Sequence, residues 1–374
     1  MIAEILFTMA LAATDQTINV TRGTKLDVNN FAGDVIVKVW DKDAVHVEVA
    51  HSDREVVDIK PGDQTLSVRS RSVRGGPPRS LDYTITVPVW MPIAVSGTYA
   101  DVTIEGTGGD VNVDTTRGDI TVRGGSGFVS LKSVQGLITV ERAKGRLEVR
   151  GVNESIRLAD ITGDVSAETT NGNIILDRVD SPNVDLYTVN GTISYDGPIR
   201  DKGVYRLTTH NGSITMPVPE RANAAMTMRT YNGSIRASFP LPSTDPERRN
   251  RRVAMTLGNG SAHVELESFG GSILLRRPGE PRPETDRRKQ KDKDQVRLGI
   301  GRGLGAGAGA GIGASIADAV DQAVVDIDVD AIVDAALASV PSIDVIIDAA
   351  MAGVPHPVVV PHPVPVPTPR IKIR

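Results

Sequence analysis

Apolar and polar residues alternate in short runs that recur every nine residues across the middle of the chain. Most runs follow a glycine and place an aliphatic residue at the second and fourth positions after it. Strict alternation of this kind predicts a strand with one buried face and one solvated face. About five strand residues and about four turn residues would fill each unit. The period is marked by Gly109, Gly118, Gly127, Gly136, Gly145, Gly163 and Gly172, with Glu154 in the remaining position.

The turns between these runs are of two kinds that alternate, so the higher-order unit is two strands and two unlike turns, or 18 residues. One kind begins with Thr or Ser and ends with glycine three residues later, often as Asn-Gly. Glycine adopts positive φ freely and asparagine tolerates it, while a threonine hydroxyl can bond nearby backbone. If the coils stack, the turn asparagines would form an amide ladder along the axis. These are Asn153, Asn171, Asn190, Asn211 and Asn232.

Two architectures fit this periodicity. One is a solenoid with two strands per coil, stacked in parallel. The other is an antiparallel meander, because Asn-Gly turns also suit tight hairpins. A long series of similar units favours stacking, since each unit needs a neighbour to cover its apolar face. We therefore predict an all-β fold, a parallel β-solenoid of ~18-residue two-strand coils over residues 101–277, with a dry interior between two sheets.

The flanking segments differ in composition from the repeat. Residues 14–100 read as strands of uneven length and are predicted to form an N-terminal β region that caps the solenoid. Residues 240–252 interrupt the repeat and are expected to protrude as a loop. The C-terminal extension is of low complexity and partly helical. It comprises a charged disordered linker at 278–296, a Gly/Ala-rich and then acidic helical segment at 297–352, and a proline-rich tail at 353–374.

The N-terminus predicts export. Residues 1–13 contain a short apolar segment that ends in Ala10-Leu11-Ala12, the small-x-small pattern of a signal peptide. Glu4 stands where such peptides usually carry positive charge. No other stretch has about 18 consecutive apolar residues, so we expect no transmembrane helix.

Composition and motifs indicate binding and not catalysis. The chain has no cysteine and a net charge of −4, which excludes disulfides and gives no sign of nucleic-acid binding. The alternative is a β-helix carbohydrate-active enzyme, a polysaccharide lyase or hydrolase, which would need a carboxylate pair. A calcium-binding nonapeptide repeat is not sustained beyond 106–114. We predict no catalytic residue, no cofactor and no metal ligand. The acidic residues considered, which are mostly turn residues after a repeat glycine, are Asp110, Asp114, Asp119, Asp160 and Asp164.

Residues 26–41, 83–89 and the Gly-Asp-Val/Ile repeats resemble the bacterial DUF4097 family of candidate adhesins, and the resemblance covers residues 18–277. It implies a β-helix-like fold, an exported location and no established enzymatic role, and it transfers no catalytic residue. The predicted function is that of a non-enzymatic exported β-repeat protein, an adhesin or a cell-envelope interaction or structural module. It would be periplasmic, surface-bound or secreted, with an envelope or host polysaccharide or protein as its partner.

Overall fold

The structure, a computed structural model, describes residues 12–76, 78–241 and 252–281. These residues form 24 strands, and none of them forms a helix with the length and apolar character of a membrane span. Residues 1–11, the 242–251 part of the interrupting segment and the extension from residue 282 lie outside the described residues. The strands are β1 (Ala12–Asn19), β2 (Lys25–Trp40), β3 (Ala44–His51), β4 (Glu55–Pro61), β5 (Thr65–Ser72), β6 (Asp82–Pro88), β7 (Ile93–Glu105), β8 (Val111–Arg117), β9 (Ile120–Arg123), β10 (Phe128–Gln135), β11 (Ile138–Glu141), β12 (Arg146–Gly151), β13 (Ile156–Ala159), β14 (Val165–Thr169), β15 (Ile174–Asp177), β16 (Asn183–Thr188), β17 (Ile193–Ser194), β18 (Val204–Thr209), β19 (Ile214–Pro217), β20 (Ala224–Thr230), β21 (Ile235–Ala237), β22 (Arg252–Leu257), β23 (Ala262–Ser268) and β24 (Ile273–Arg276).

All the strands belong to one mostly parallel sheet that winds around an axis as two facing walls. The long strands β2 and β7 bend across the corner and pair in both walls. Wall 1 has the order β4–β5–β2–β7–β8–β10–β12–β14–β16–β18–β23–β20–β22. Wall 2 has the order β1–β3–β6–β2–β7–β9–β11–β13–β15–β17–β19–β24–β21.

The register confirms the parallel solenoid and rules out the meander. In wall 1, Val111 lies beside Val129, and Val129 lies beside Leu147, so neighbouring strands are 18 residues apart. In wall 2, Ile138 lies beside Ile156 in the same step. A meander would instead pair consecutive strands such as β8 and β9 in antiparallel fashion.

The alternating aliphatic residues point into the space between the walls, as predicted. Ile120, Leu131, Val149 and Leu186 are fully buried there. The interior also has a third, very short side that the two-strand prediction missed. Single backbone bridges join Lys144 to Thr162 and Thr162 to Asp180 on this side. Its inward residues, one per coil, are the buried Ala143, Ile161 and Val179.

The last coils do not stack in chain order. Strand β23 lies between β18 and β20 and is parallel to both, so Leu266 pairs with Leu207 on one side and Met228 on the other. Strand β24 is inserted in wall 2 in the same way, between β19 and β21. Strand β22 runs antiparallel to β20 and covers its outer edge. The coil from residue 262 to 276 is therefore threaded between two coils that precede it in the sequence.

Close packing between coils requires glycine at the corners, and the predicted positive φ occurs at Gly118 (φ 146°) but not at Gly172, Gly191 or Gly212. An added Cβ at Gly191 would lie 1.8 Å from the carbonyl oxygen of Gly172, and one at Gly212 would lie 1.8 Å from that of Gly191. Neither residue has positive φ. Left-handed backbone also occurs at the corner between wall 2 and the third side, where Asp160 has φ 56° and Arg178 has φ 52°.

A buried threonine or serine opens most of these corners and bonds a backbone carbonyl of the adjacent coil. Thr188 Oγ1 donates to the carbonyl oxygen of Gly172 at 2.9 Å, and Thr209 Oγ1 donates to that of Gly191 at 2.8 Å. Both side chains are buried. The predicted local bond is present at Thr230 and Ser268, whose hydroxyls accept from the backbone N–H groups of Gly233 and Gly271. The bond between two coils was not predicted, and it satisfies a carbonyl in the tightest part of the stack.

Replacing Thr188 with valine should lower the free energy of unfolding by about 1–3 kcal/mol, because the isosteric side chain removes the donor to the Gly172 carbonyl. Urea denaturation followed by circular dichroism would measure the loss. Thr121→Val, on the half-buried outer face of wall 2, is the control and should change stability by less than about 0.5 kcal/mol. Equal effects at the two positions would show that the inter-coil bond adds nothing.

Candidate functional site

Most of the aspartates considered as catalytic candidates accept hydrogen bonds from neighbouring coils. Asp110 accepts a hydrogen bond from the backbone N–H of Phe128 at 2.8 Å. Asp119 does the same for Leu137 at 2.8 Å. Asp114 lies beside Lys132 in the register of wall 1. The two hydrogen bonds give Asp110 and Asp119 a role in holding one coil on the next.

Asp160 and Asp164 have side-chain partners. Asp160 takes two hydrogen bonds from the guanidinium of Arg178, at 2.6 and 2.8 Å, and these bonds lower the pKa of its carboxyl. Asp164 accepts a bond from Asn183 Nδ2 at 2.8 Å. A lowered pKa keeps a carboxyl ionised, the opposite of what a general acid needs.

A shallow open groove on wall 1 is lined by two carboxylates, those of Asp164 and Asp185. The guanidinium of Arg206 lies 3.7 Å from Asp185 and 3.5 Å from Glu265. Together with the Asn183 bond to Asp164, this leaves both groove carboxylates engaged with neighbours. The groove therefore presents side chains of both charges that a ligand could contact. It does not present a free pair of carboxylates for acid–base catalysis.

The amide ladder predicted from the sequence forms over four coils. Asn171 Nδ2 donates to Asn153 Oδ1 at 3.0 Å, Asn190 to Asn171 at 2.8 Å, and Asn211 to Asn190 at 2.9 Å. Each of the two middle amides uses one donor and one acceptor in the ladder, which leaves a second N–H and further acceptor capacity facing solvent.

Asn232 does not join this ladder, and that part of the prediction is wrong. The threaded coil lies between the coils of Asn211 and Asn232 and places Gly270 at that level. Its Gly270 N–H bonds the carbonyl of His210, while the Asn232 N–H bonds that of Phe269. Because glycine has no side-chain amide, the ladder ends at this coil.

A second row lies beside the ladder, formed by the residue that precedes each asparagine or its equivalent. In the last three coils this row is aromatic. The His210 and Phe269 rings stack with centroids 4.6 Å apart and an interplanar angle of 3°. The Tyr231 ring follows at 5.1 Å, with the guanidinium of Arg229 beside it at 5.4 Å. Phe269 and Tyr231 remain 42% and 39% exposed.

We call these two rows the asparagine corner. Its aromatic part was not identified from the sequence, although a signal was present. Ser268-Phe269-Gly270-Gly271 has the Ser/Thr-x-x-Gly pattern of the corner turns, which places Phe269 in the row. The corner consists of Asn153, Asn171, Asn190 and Asn211 in the amide row and Val152, Thr170, Val189, His210, Phe269 and Tyr231 in the second row.

The walls, the buried aliphatic rows and the stacked corners define a parallel β-solenoid repeat protein. The chain belongs to the Toastrack DUF4097 family, whose family model matches residues 23–276. No curated protein matches the sequence.

Solved structures of low similarity include candidate adhesins. One from Bacteroides fragilis is 11% identical and covers 71% of this chain and 98% of its own, with a TM-score of 0.34. One from Parabacteroides distasonis is 10% identical and covers 72% and 98%, with a TM-score of 0.29. A candidate cell adhesion protein from Clostridium sporogenes is 9% identical and covers 71% and 100%, with a TM-score of 0.19. At these scores the similarity supports no argument about function.

Proposed function

We propose that this chain is a non-enzymatic interaction module that acts at the cell envelope or outside the cell, and that its asparagine corner binds an extended polysaccharide. The observation that carries the proposal is the corner itself, where exposed amides repeat over four coils and are followed by rings in the last three. The apolar N-terminal segment supports export.

The geometry of the amide row suits a polymer. Successive coils are about 4.8 Å apart, as in any sheet, so the free amide donors recur at a constant short interval along the axis. A linear glycan also presents hydroxyl and carbonyl groups at regular intervals. Several weak hydrogen bonds made in this way add up, because the second and later contacts are intramolecular once the first has formed.

The second row supplies apolar contact beside these polar groups. Val152 and Val189 lie in line with the exposed edges of His210, Phe269 and Tyr231. Partly exposed rings next to hydrogen-bonding side chains are the usual composition of small binding hot spots. By contrast, four of the five aspartates considered as catalytic candidates accept hydrogen bonds from a neighbouring coil, which favours binding over catalysis.

Phe269→Ala should weaken binding of the full chain to its polysaccharide by about tenfold, the equivalent of ~1.4 kcal/mol. Removing the middle ring breaks both ring contacts of the stack. The measurement is titration calorimetry with a panel that includes peptidoglycan glycan strands, chitin oligomers and hyaluronan. Asn190→Ala, which interrupts the ladder at its middle, should have a similar effect.

Phe128→Ala is the matched control, because the exposed fraction of Phe128, 40%, is similar to that of Phe269, 42%. Phe128 is the first residue of strand β10, whereas the asparagine corner follows the last residues of the wall 1 strands. The affinity of Phe128→Ala should equal that of the unaltered chain. If Phe128→Ala weakened polysaccharide binding as much as Phe269→Ala, the asparagine corner would not be the binding site. Failure of the unaltered chain to bind any polysaccharide, together with binding to an extracellular-matrix protein, would move the partner to the protein class.

A further inference from the structure

A group of potential metal ligands lies on the outer face of wall 2, where strands β1 and β3 pair. In the antiparallel register, Asp15 is directly opposite Glu48, and Thr17 is directly opposite His46. His46 Nε2 is 2.8 Å from Glu48 Oε1, and His46 Nδ1 is 3.7 Å from Asp15 Oδ1. One nitrogen and two carboxylate oxygens of these residues lie within 4.8 Å of one another.

The two carboxylates form an unfavourable pair without a cation. Like charges directly opposite each other on adjacent strands destabilise a sheet. Among the described residues, neither Asp15 nor Glu48 forms an ion pair with a lysine or an arginine, and His46 is the partner of both. The arrangement therefore concentrates negative charge around one imidazole on an otherwise regular outer face.

The histidine is held in place by its surroundings. Its side chain is only 22% exposed and its ring lies 6.1 Å from that of Trp40. Thr17 Oγ1 lies 3.0 Å from His46 Nδ1. Hydrogen bonds of this kind orient the rings of metal-binding histidines. The other ring nitrogen, Nε2, lies beside Glu48.

We propose that Asp15, His46 and Glu48 bind a divalent transition-metal ion, with Zn²⁺ as the representative ion. One imidazole and two carboxylates suit zinc, whose bonds to them are about 2.0–2.2 Å and place neighbouring ligand atoms about 3 Å apart. Calcium and magnesium prefer sites made of oxygen alone. Three protein ligands leave the rest of the coordination sphere to water. The bound ion would fasten the edge strand β1 to β3, because its ligands come from both strands.

Titration calorimetry of the tag-free full chain with zinc chloride tests this site. We expect one Zn²⁺ per chain, and at least tenfold weaker binding in His46→Ala and in Glu48→Gln. Asp15→Asn should weaken zinc binding in the same direction. The glutamine and asparagine variants keep the size of the side chain on a solvated face, so they should fold, and their melting points without zinc should be no lower than that of the unaltered chain.

His51→Ala is the matched control, since His51 lies on the same strand but bonds Thr14 and Ser52 instead of a carboxylate. It should retain full zinc affinity, and a given zinc concentration should raise the melting point of this variant more than that of Glu48→Gln. Absence of zinc binding, or binding that survives all three ligand substitutions, would overturn the site. Polysaccharide binding is not involved in either readout.

Discussion

Replacing Gly191 with alanine should destabilise the solenoid by about 3 kcal/mol or more and lower its melting point by roughly 6–12 °C. The added methyl group would lie 1.8 Å from the carbonyl oxygen of Gly172 and 2.6 Å from its carbonyl carbon. Both are backbone atoms of the preceding coil, so the clash is relieved only if two coils move apart. Thermal unfolding followed by circular dichroism would measure the change.

Gly62→Ala is the matched control for this substitution. Gly62 also has no positive φ, and an added Cβ there would meet only the carbonyl oxygen of Thr65, at 3.1 Å. The change in stability should stay within about 1 kcal/mol. If Gly191→Ala were as mild as Gly62→Ala, the close approach of coils at the asparagine corner would be contradicted.

Truncating Leu186 to alanine should lower the free energy of unfolding by about 2–5 kcal/mol, whereas truncating its neighbour Tyr187 should cost less than about 1 kcal/mol. Leu186 is fully buried between Ala167 and Leu207 of the adjacent coils, and its removal leaves a cavity in the interior. Tyr187 points outward from wall 1 and is 41% exposed.

Chemical denaturation of the two variants under the same conditions compares these adjacent positions directly. Tyrosine is larger than leucine, yet removal of the Tyr187 side chain should reduce stability less. If the loss of stability depended only on the size of the side chain, the order would be reversed. A greater loss in Tyr187→Ala than in Leu186→Ala would mean that the inward and outward faces of β16 are exchanged.

The sequence predicts the coil because the information that specifies it is local. Alternation assigns Val129 and Leu131 to one face, and the repeated corner pattern fixes the 18-residue step between Val129 and Leu147. The same local pattern also predicts the ladder from Asn153 to Asn211. It does not show why glycine is needed, since a glycine required for positive φ and one required for close packing look alike in sequence.

The threading of β23 could not be predicted because it depends on long-range pairing. Val264 and Leu266 carry an inward pattern that fits equally well beyond β20 or between β18 and β20. The consequence reaches the proposed ligand site, since this insertion brings Phe269 between His210 and Tyr231 and ends the amide ladder. The third side escaped prediction for a different reason, because one inward residue such as Ala143 is too short a signal for a strand.

The residues of the proposed metal site could not be grouped from the sequence for a related reason. Asp15 and Glu48 belong to strands whose antiparallel register places them together, and nothing in their spacing along the chain indicates that contact. Histidine and acidic residues on a β-rich segment are common, so only the cross-strand geometry separates this group from ordinary surface residues.

Stacking of parallel coils is tested most directly by a distance between two spin labels in this cysteine-free chain. Asn112 and Asp185 lie in one column of wall 1, joined through Ser130, Glu148 and Ser166. With both residues changed to labelled cysteine, pulsed electron paramagnetic resonance should give about 19 Å, which is four spacings of about 4.8 Å. A meander would place eight strand spacings between them, and a distance of about 38 Å would contradict the solenoid.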